Sequence, residues 1–208
     1  MSENKPKMKS ALMLGVNPNT EREINDFYAT DSYAMELVLP VLKCLGLSEN
    51  VWENACGVGN LSKVLTKNGY NVRNSDIVDR GYSNTEVIDF LSYTEPYHNG
   101  DILTNPPFKY AVDFIKKSME LLDEGHKAIF FLKLQFLETE KRKKLFAKYP
   151  PKYVIVHSER IFCAMNADFS RYASHYDDKK GKWCGGTQCY CWFVFEKGYK
   201  GDSKLLWV

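Results

Sequence analysis

Long apolar runs are missing from this 208-residue sequence. Nothing approaches the roughly 18 consecutive apolar residues of a helical membrane span. The opening stretch MSENKPKMKS is polar and basic, and no apolar core follows it, so it does not read as a secretory leader. These absences lead to the expectation of a soluble, intracellular (cytoplasmic) protein with no membrane partner. Charge imbalance is missing too: 28 Lys and Arg against 26 Asp and Glu leave a net charge of +2. A strong bulk attraction to polyanions is thereby excluded, and a nucleic-acid partner would need a local basic face. There is no internal repeat, low-complexity block or Pro-, Gly- or Ser-rich linker. Residues 1–208 are therefore expected to form a single domain, with residues 1–20 polar and mobile.

Cysteine is present but not as a scaffold. Six cysteines in a sequence of this length do not read as a disulfide framework. The cluster CGGTQCYC has C-x4-C-x-C spacing, without a second paired knuckle or a nearby His, so no metal is expected there. Cys189 and Cys191 instead share one face of a strand as small buried residues.

What is there is an alternation. DSYAMELVLPVLKCLGL has helical spacing, with Asp31 or Ser32 as N-cap and Pro40 as a point of kinking or splitting. Short strands follow at NVWENA, NVRNSDIV, TEVID, DILTN, KAIFFLKL, KYVIVHS and CYCWFVFEKG, with KLLWV closing the sequence. Between them LSKVLTKNGY, YAVDFIKKSMELLDEG and ETEKRKKLFAKY have helical patterns, the last reading as a solvated charged face. This rhythm predicts an α/β fold: a mostly parallel sheet with helices on both faces. Ligands of such sheets bind at the carboxyl ends of the strands.

Two such ends carry chemistry. VWENACGVGNL ends a strand at Glu53 and turns on Gly57 and Gly59, which permit close backbone approach to a ligand. Asp76 ends the next strand, about 20 residues on, where an acid grips ribose hydroxyls. A dinucleotide fingerprint would want a third glycine, yet Leu61 and Ser62 follow Asn60, and no G-K-[ST] phosphate loop occurs. Glu53 would repel a pyrophosphate and suits a cationic ligand such as an amine or sulfonium. The other end is DILTNPPFKY. Consecutive prolines freeze the backbone and hold the Asn105 carboxamide toward the crevice. The carboxamide oxygen and a backbone carbonyl can each accept one hydrogen of an –NH2 group, while Phe108 stacks on the ring bearing it. Accepting both hydrogens builds up the lone pair of a poor amine nucleophile by preorganisation, with no general base needed first.

With these motifs the chain resembles the S-adenosylmethionine-dependent amino-methyltransferases, most closely small phage- and prophage-type DNA N6-adenine methyltransferases. The resemblance implies a Rossmann-like class I methyltransferase fold, a seven-stranded sheet with its last strand antiparallel. It implies S-adenosyl-L-methionine as cofactor and DNA as partner, RNA being the alternative nucleic acid. ENACGVGNL is similar to the methionine-side loop, implicating Glu53, Ala55, Gly57 and Gly59. SDIVD implies Asp76 on the ribose and Ile77 against adenine; IDFL implies Asp89 on the adenine amine and Phe90 on its ring. DFYAT implicates Thr30 in closing over the methionine end, although Asp31 stands where a proline often follows. NPPF is the catalytic motif, implicating Asn105, Pro106 and Phe108. No room remains for a separate target-recognition domain.

Residues 159–189, between the sixth and seventh strands, are the expected substrate segment. Arg160, Arg171, Lys179, Lys180 and Lys182 interleave with Phe162, Phe169, Tyr172, Tyr176 and Trp183, which suits phosphate contact and base stacking. Arg160, Phe162, Phe108 and Lys109 are the candidate substrate contacts, Phe162 by resemblance against an extruded base. Three alternatives stay open: an RNA base N-methyltransferase, a protein glutamine N-methyltransferase, and a catalytically silent nucleic-acid-binding or partner subunit.

Overall fold

The computed structural model describes residues 27–169, 175–177, 182–184 and 188–208. In sequence order the strands are β1 (Tyr28–Thr30), β2 (Asn50–Glu53), β3 (Asn71–Asp76), β4 (Thr85–Val87), β5 (Asp101–Thr104), β6 (Lys127–Lys133), β7 (Tyr153–Val156), β8 (Cys163–Met165), β9 (His175–Asp177), β10 (Lys182–Cys184), β11 (Tyr190–Glu196) and β12 (Lys204–Trp207). The α-helices are α1 (Ser32–Cys44), α2 (Asn60–Lys67), α3 (Ala111–Leu121) and α4 (Glu140–Lys148).

Eight strands form one sheet in the order β12-β7-β11-β6-β5-β2-β3-β4. Strand β11 runs antiparallel to both its neighbours, and every other pair in this sheet is parallel. The expected count of seven is corrected to eight. The closing KLLWV adds as β12 along the free edge of β7, with Leu205 opposite Val154 and Trp207 opposite Val156. It therefore covers backbone groups that would otherwise be an unpaired edge. The antiparallel strand is the one before it, and the last strand of the sequence is parallel.

Apolar residues on the two sheet faces build two core layers. Met35, Val38 and Leu42 of α1 and Leu61 and Leu65 of α2 pack on one side with Phe131, Ile155 and Trp192. Phe114, Ile115 and Met119 of α3 and Leu145 of α4 pack on the other with Trp52, Phe130 and Phe193. Strand β6 is buried on both faces from Ala128 to Leu132, which is why it reads as a continuous apolar run. Trp52 donates from Nε1 to Ser75 Oγ at 2.8 Å, so its one polar atom is satisfied inside the core.

Helix α1 is capped by Asp31, whose Oδ1 accepts from the Tyr33 N–H at 3.0 Å. Pro40 does not split it. Pro40 and Glu36 lie on the exposed face, so the Glu36 carbonyl left without a donor is open to water.

The N-terminal strand β1 pairs antiparallel with β8, bringing Thr30 opposite Cys163. Thus residues 159–189 begin by folding back onto β1, and β9 pairs with β10 further on. The expectations for residues 1–20 and for Arg171, Tyr172, Lys179 and Lys180 lie outside the described residues, as do the side chains of Tyr176, Lys182 and Trp183.

His157 closes the core beside Trp192, whose Nε1 donates to His157 Nε2 at 2.9 Å. Burial lowers the imidazole from its ordinary 6.5 to about 4. In that window the unfolded protein takes up the proton first. Stability from this group is complete above pH 6.5 and declines as pH falls toward about 4. His157→Gln keeps an acceptor for Trp192 without the titration. Melting curves between pH 6.5 and 4 are expected to decline less steeply for the variant than for the parent protein.

Candidate active site

The carboxyl ends of β2, β3 and β5 lie side by side, and the glycine turn spans the first two. Gly57 and Gly59 have φ of 56° and 75°, in the left-handed region that side chains other than glycine's seldom tolerate. Close approach also requires them. A Cβ on Gly57 would stand 2.6 Å from the Phe27 ring, and one on Gly59 2.5 Å from Tyr82. The Gly57 N–H donates to Asp76 Oδ2 at 2.8 Å and the Val78 N–H to Oδ1 at 3.1 Å. Asp76 thus fastens the turn to the end of β3, and each oxygen retains lone-pair capacity for a further donor.

Ile77, beside it, is 55% exposed. Asp89 is exposed and caps a short 3-10 turn, accepting from Leu91 N–H and from Ser92 Oγ. Phe90 is turned into the core, edge-on to Trp52 at a centroid distance of 5.3 Å. Ala55 is half-buried against the same core layer.

Glu53 points to the other face of β2. It is buried, and its Oε2 accepts from the Ser62 N–H at 2.8 Å, in the first turn of α2. The Ser62 hydroxyl lies in contact with both Glu53 and Asn74 Oδ1. One hydroxyl proton cannot serve two acceptors. A protonated Glu53 resolves this by donating to Ser62 Oγ, which then donates to Asn74. The electrostatics agree: burial pushes the Glu53 carboxyl from 4.5 up to about 8, against the lowering effect of the Ser62 hydrogen bonds.

At the NPPF corner, Asn105 Nδ2 donates to the Tyr28 carbonyl at 3.0 Å and lies 3.9 Å from Cys163 Sγ. The β1–β8 ribbon therefore holds the amide end of the carboxamide. Asn105 Oδ1 is buried and accepts no hydrogen bond. The Pro107 carbonyl is taken by the Tyr110 N–H at 2.9 Å, leaving that of Pro106 as the backbone acceptor of the corner. Phe108 lies between Tyr28 and Tyr190, at centroid distances of 5.9 and 6.3 Å. Lys133 Nζ stands 5.2 Å from its ring centroid.

Thr30 is buried opposite Cys163, and its carbonyl accepts from Asn60 Nδ2 at 2.8 Å. Phe162 is buried, and its carbonyl accepts from the Asp31 N–H at 3.1 Å. Arg160 reaches the Cys189 sulfur, and the Lys109 ammonium lies 5.0 Å from the neighbouring Tyr110 ring. Among the described residues no group of three His, Cys, Asp or Glu side chains meets at a common point.

Several residues of this site escaped sequence reasoning. Phe27 and Tyr82 cover the glycines, and Arg80 stacks on Phe27 at 3.9 Å with its Nε buried and unpartnered. Asn54 is buried at the end of β2 with both carboxamide atoms unpartnered. Nothing in the sequence separates these from ordinary loop residues. Lys133 did leave a signal: a charge ending an otherwise apolar buried strand.

No protein-family model matches the chain, and no curated protein matches its sequence. Solved structures do match in shape. A Listeria monocytogenes protein described as a class I S-adenosylmethionine-dependent methyltransferase superposes with TM-score 0.57 at 15% identity, over 97% of this chain and 70% of that one. The fold is that of the class I methyltransferases. A Pyrococcus horikoshii protein described as an RNA methyltransferase gives 0.55 at 13% identity, over 95% of this chain and 99% of that one. The type IIG restriction endonuclease BpuSI gives 0.52 at 13% identity, over 82% of this chain but 25% of the endonuclease. In this class I frame, the glycine turn and the NPPF corner both lie at the carboxyl ends of the central strands, where ligands of such sheets bind.

The protonated Glu53 makes a pH effect of definite sign. From pH 4.5 to about 8 the unfolded protein has released this proton while the folded protein keeps it, so its contribution to stability is lost as pH rises to about 8. What remains of the His157 effect above pH 6.5 has the opposite sign, raising stability with pH, so it cannot mimic the loss from Glu53. Melting temperatures of Glu53→Gln are expected to be flatter than those of the parent protein between pH 6.5 and 8. Equal slopes would show that Glu53 is ionised in the fold.

Proposed function

We propose that this protein transfers a methyl group from S-adenosyl-L-methionine to the exocyclic N6 amine of adenine in DNA. The observation that carries the reading is Asn105 Oδ1, a buried acceptor without a partner, on a carboxamide whose other end is tied to the Tyr28 carbonyl. Native interiors leave few such atoms unmatched, and one at a strand's carboxyl end beside a rigid corner calls for a functional explanation.

The residues present fit the cofactor. Gly57 and Gly59 give the turn its left-handed backbone, Phe27 and Tyr82 close over it, and Asp76 lies against it with lone pairs to spare. When bound, S-adenosyl-L-methionine supplies an electrophilic methyl group on a sulfonium. The protein's part is positional. Asn105 Oδ1 and the Pro106 carbonyl each accept one amine hydrogen, which localises the nitrogen lone pair toward the methyl group. Pro106 and Pro107 keep both acceptors rigid, so little reorganisation is needed at the moment of attack. Phe108 offers the ring a stacking face, and after transfer the surplus amine proton leaves to solvent. A duplex base must be extruded to reach this corner, and Phe162 and Arg160 are the proposed contacts that receive it, together with Lys109.

RNA is the second reading, supported by the end-to-end match to the Pyrococcus protein. One assay separates them: labelled methyl transfer to duplex DNA, single-stranded DNA, ribosomal RNA and a protein lysate, followed by digestion and identification of the modified unit. N6-methyladenine from DNA is expected. Asn105→Ala is expected to lower kcat by about 100-fold or more, the scale of losing one preorganised polar partner. Label only in RNA, or only in glutamine, would overturn the DNA assignment. Cofactor binding without transfer to any substrate would favour a silent subunit. A short or relaxed target preference is also expected, and selection from a randomised oligonucleotide pool measures it. A preference spanning six or more bases would contradict it.

A further inference from the structure

Strand β6 carries Ala128 to Leu132 into the core and then ends on a charge, Lys133. Lys133 lies opposite Tyr190 of β11, half-buried, at the carboxyl end of the sheet. Its ammonium stands 5.2 Å from the Phe108 centroid, and its charge is felt at Cys163, beside the Asn105 amide. Among the described residues no carboxylate lies within ion-pair distance of it, whereas Lys152 pairs with Glu196 and Lys127 with Asp101. Lys133 is half-buried, and the Phe108 ring beside its ammonium is a weaker partner than a phosphate would be. The geometry asks for an anion next to the ring on which the substrate stacks.

We propose that Lys133 binds the phosphodiester of the target nucleotide and thereby selects a nucleic-acid substrate over a protein amide. This rests on the reading of the corner as an amine-methylating site. A nucleotide whose base is held at Asn105 and Phe108 brings a phosphate within reach of the same pocket wall. A glutamine side chain brings no charge there and leaves the ammonium uncompensated. Specificity at this site then comes from one charge beside the stacking ring, in a protein whose net charge of +2 provides no general attraction. Before substrate enters, the ammonium rests on the aromatic face; on entry it exchanges the ring for the phosphate.

The alternative is a purely structural cation–π prop. Lys204 supplies a control of that kind, with its ammonium 5.9 Å from the Tyr153 ring at the amino end of β7, away from the crevice. Equilibrium binding of labelled DNA and RNA 20-mers, in the presence of S-adenosylhomocysteine, is measured across a salt series. Lys133→Met is expected to reduce the slope of log K against log salt by about 0.9 for duplex and about 0.7 for single strands, one phosphate's worth. Lys133→Arg is expected to restore the parent slope, and Lys204→Met to leave it unchanged. A loss confined to one strand type, about 0.9 for duplex DNA or about 0.7 for single-stranded RNA, identifies which supplies the phosphate. An unchanged slope in Lys133→Met overturns the proposal, as does equal loss in Lys204→Met or an absence of salt-dependent binding in the parent protein. Salt-dependent binding that loses one phosphate at Lys133 without methyl transfer to any nucleic acid supports the phosphate contact and removes the methyltransferase reading instead.

Discussion

One hydrogen bond organises the site: the amide of Asn105 donating to the backbone carbonyl of Tyr28. It occupies the amide end of the carboxamide and leaves the oxygen as the end without a partner. It also joins three pieces of sequence that have no local reason to meet. Asn105 closes β5, Tyr28 belongs to β1, and β1 is held in place by β8 from far along the sequence. The ribbon in turn reaches the glycine turn, through Asn60 bonding the Thr30 carbonyl and Phe27 lying on Gly57. The glycine turn and the proline corner are thus both in contact with one short strand and the residue before it.

The periodic part of this architecture was legible in the sequence because each element carries its own signal. The run Ala128–Leu132 reads as a strand buried on both sides and is one. Asp31 reads as a helix cap and is one. The three-residue strands β1 and β8 were not legible: neither is long enough to establish alternation, and their pairing is set by tertiary contact alone. Strand β12 was visible as an apolar run, but whether it pairs depends on β7 having a free edge, which only the topology determines. Motifs in the sequence pointed to Gly57, Asp76 and Asn105 as candidates; nothing pointed to Asn54 and Arg80, since an unpartnered buried atom is a property of three-dimensional surroundings.

Glu53 has a buried structural setting that its residue type does not announce. A carboxylate at a strand end next to glycines invites a reading as a cation ligand. Here it crosses to the far face of β2 and joins Ser62 and Asn74 in a buried series of hydrogen bonds. Desolvation favours its neutral form, so its work is to fix the first turn of α2 against β2 and β3, setting the spacing of the glycine turn from beneath. The crevice is shaped as much by this neutral acid as by the groups that line it.

The placement of β11 has a consequence for how the protein reaches this structure. It lies between β6 and β7, yet it is made after both. Until residues 190–196 are available, β6 presents an open edge bearing Phe130 and Phe131, and β7 has no neighbour on that side. The sheet must therefore keep a gap for a strand that arrives late, and its insertion closes contacts of long sequence separation all at once. Folding of such a topology is governed by loop-closure entropy, with an aggregation-exposed stage while a partner for the edge is awaited. The same insertion brings Tyr190 to Phe108, so the aromatic wall of the crevice is completed only when the sheet is.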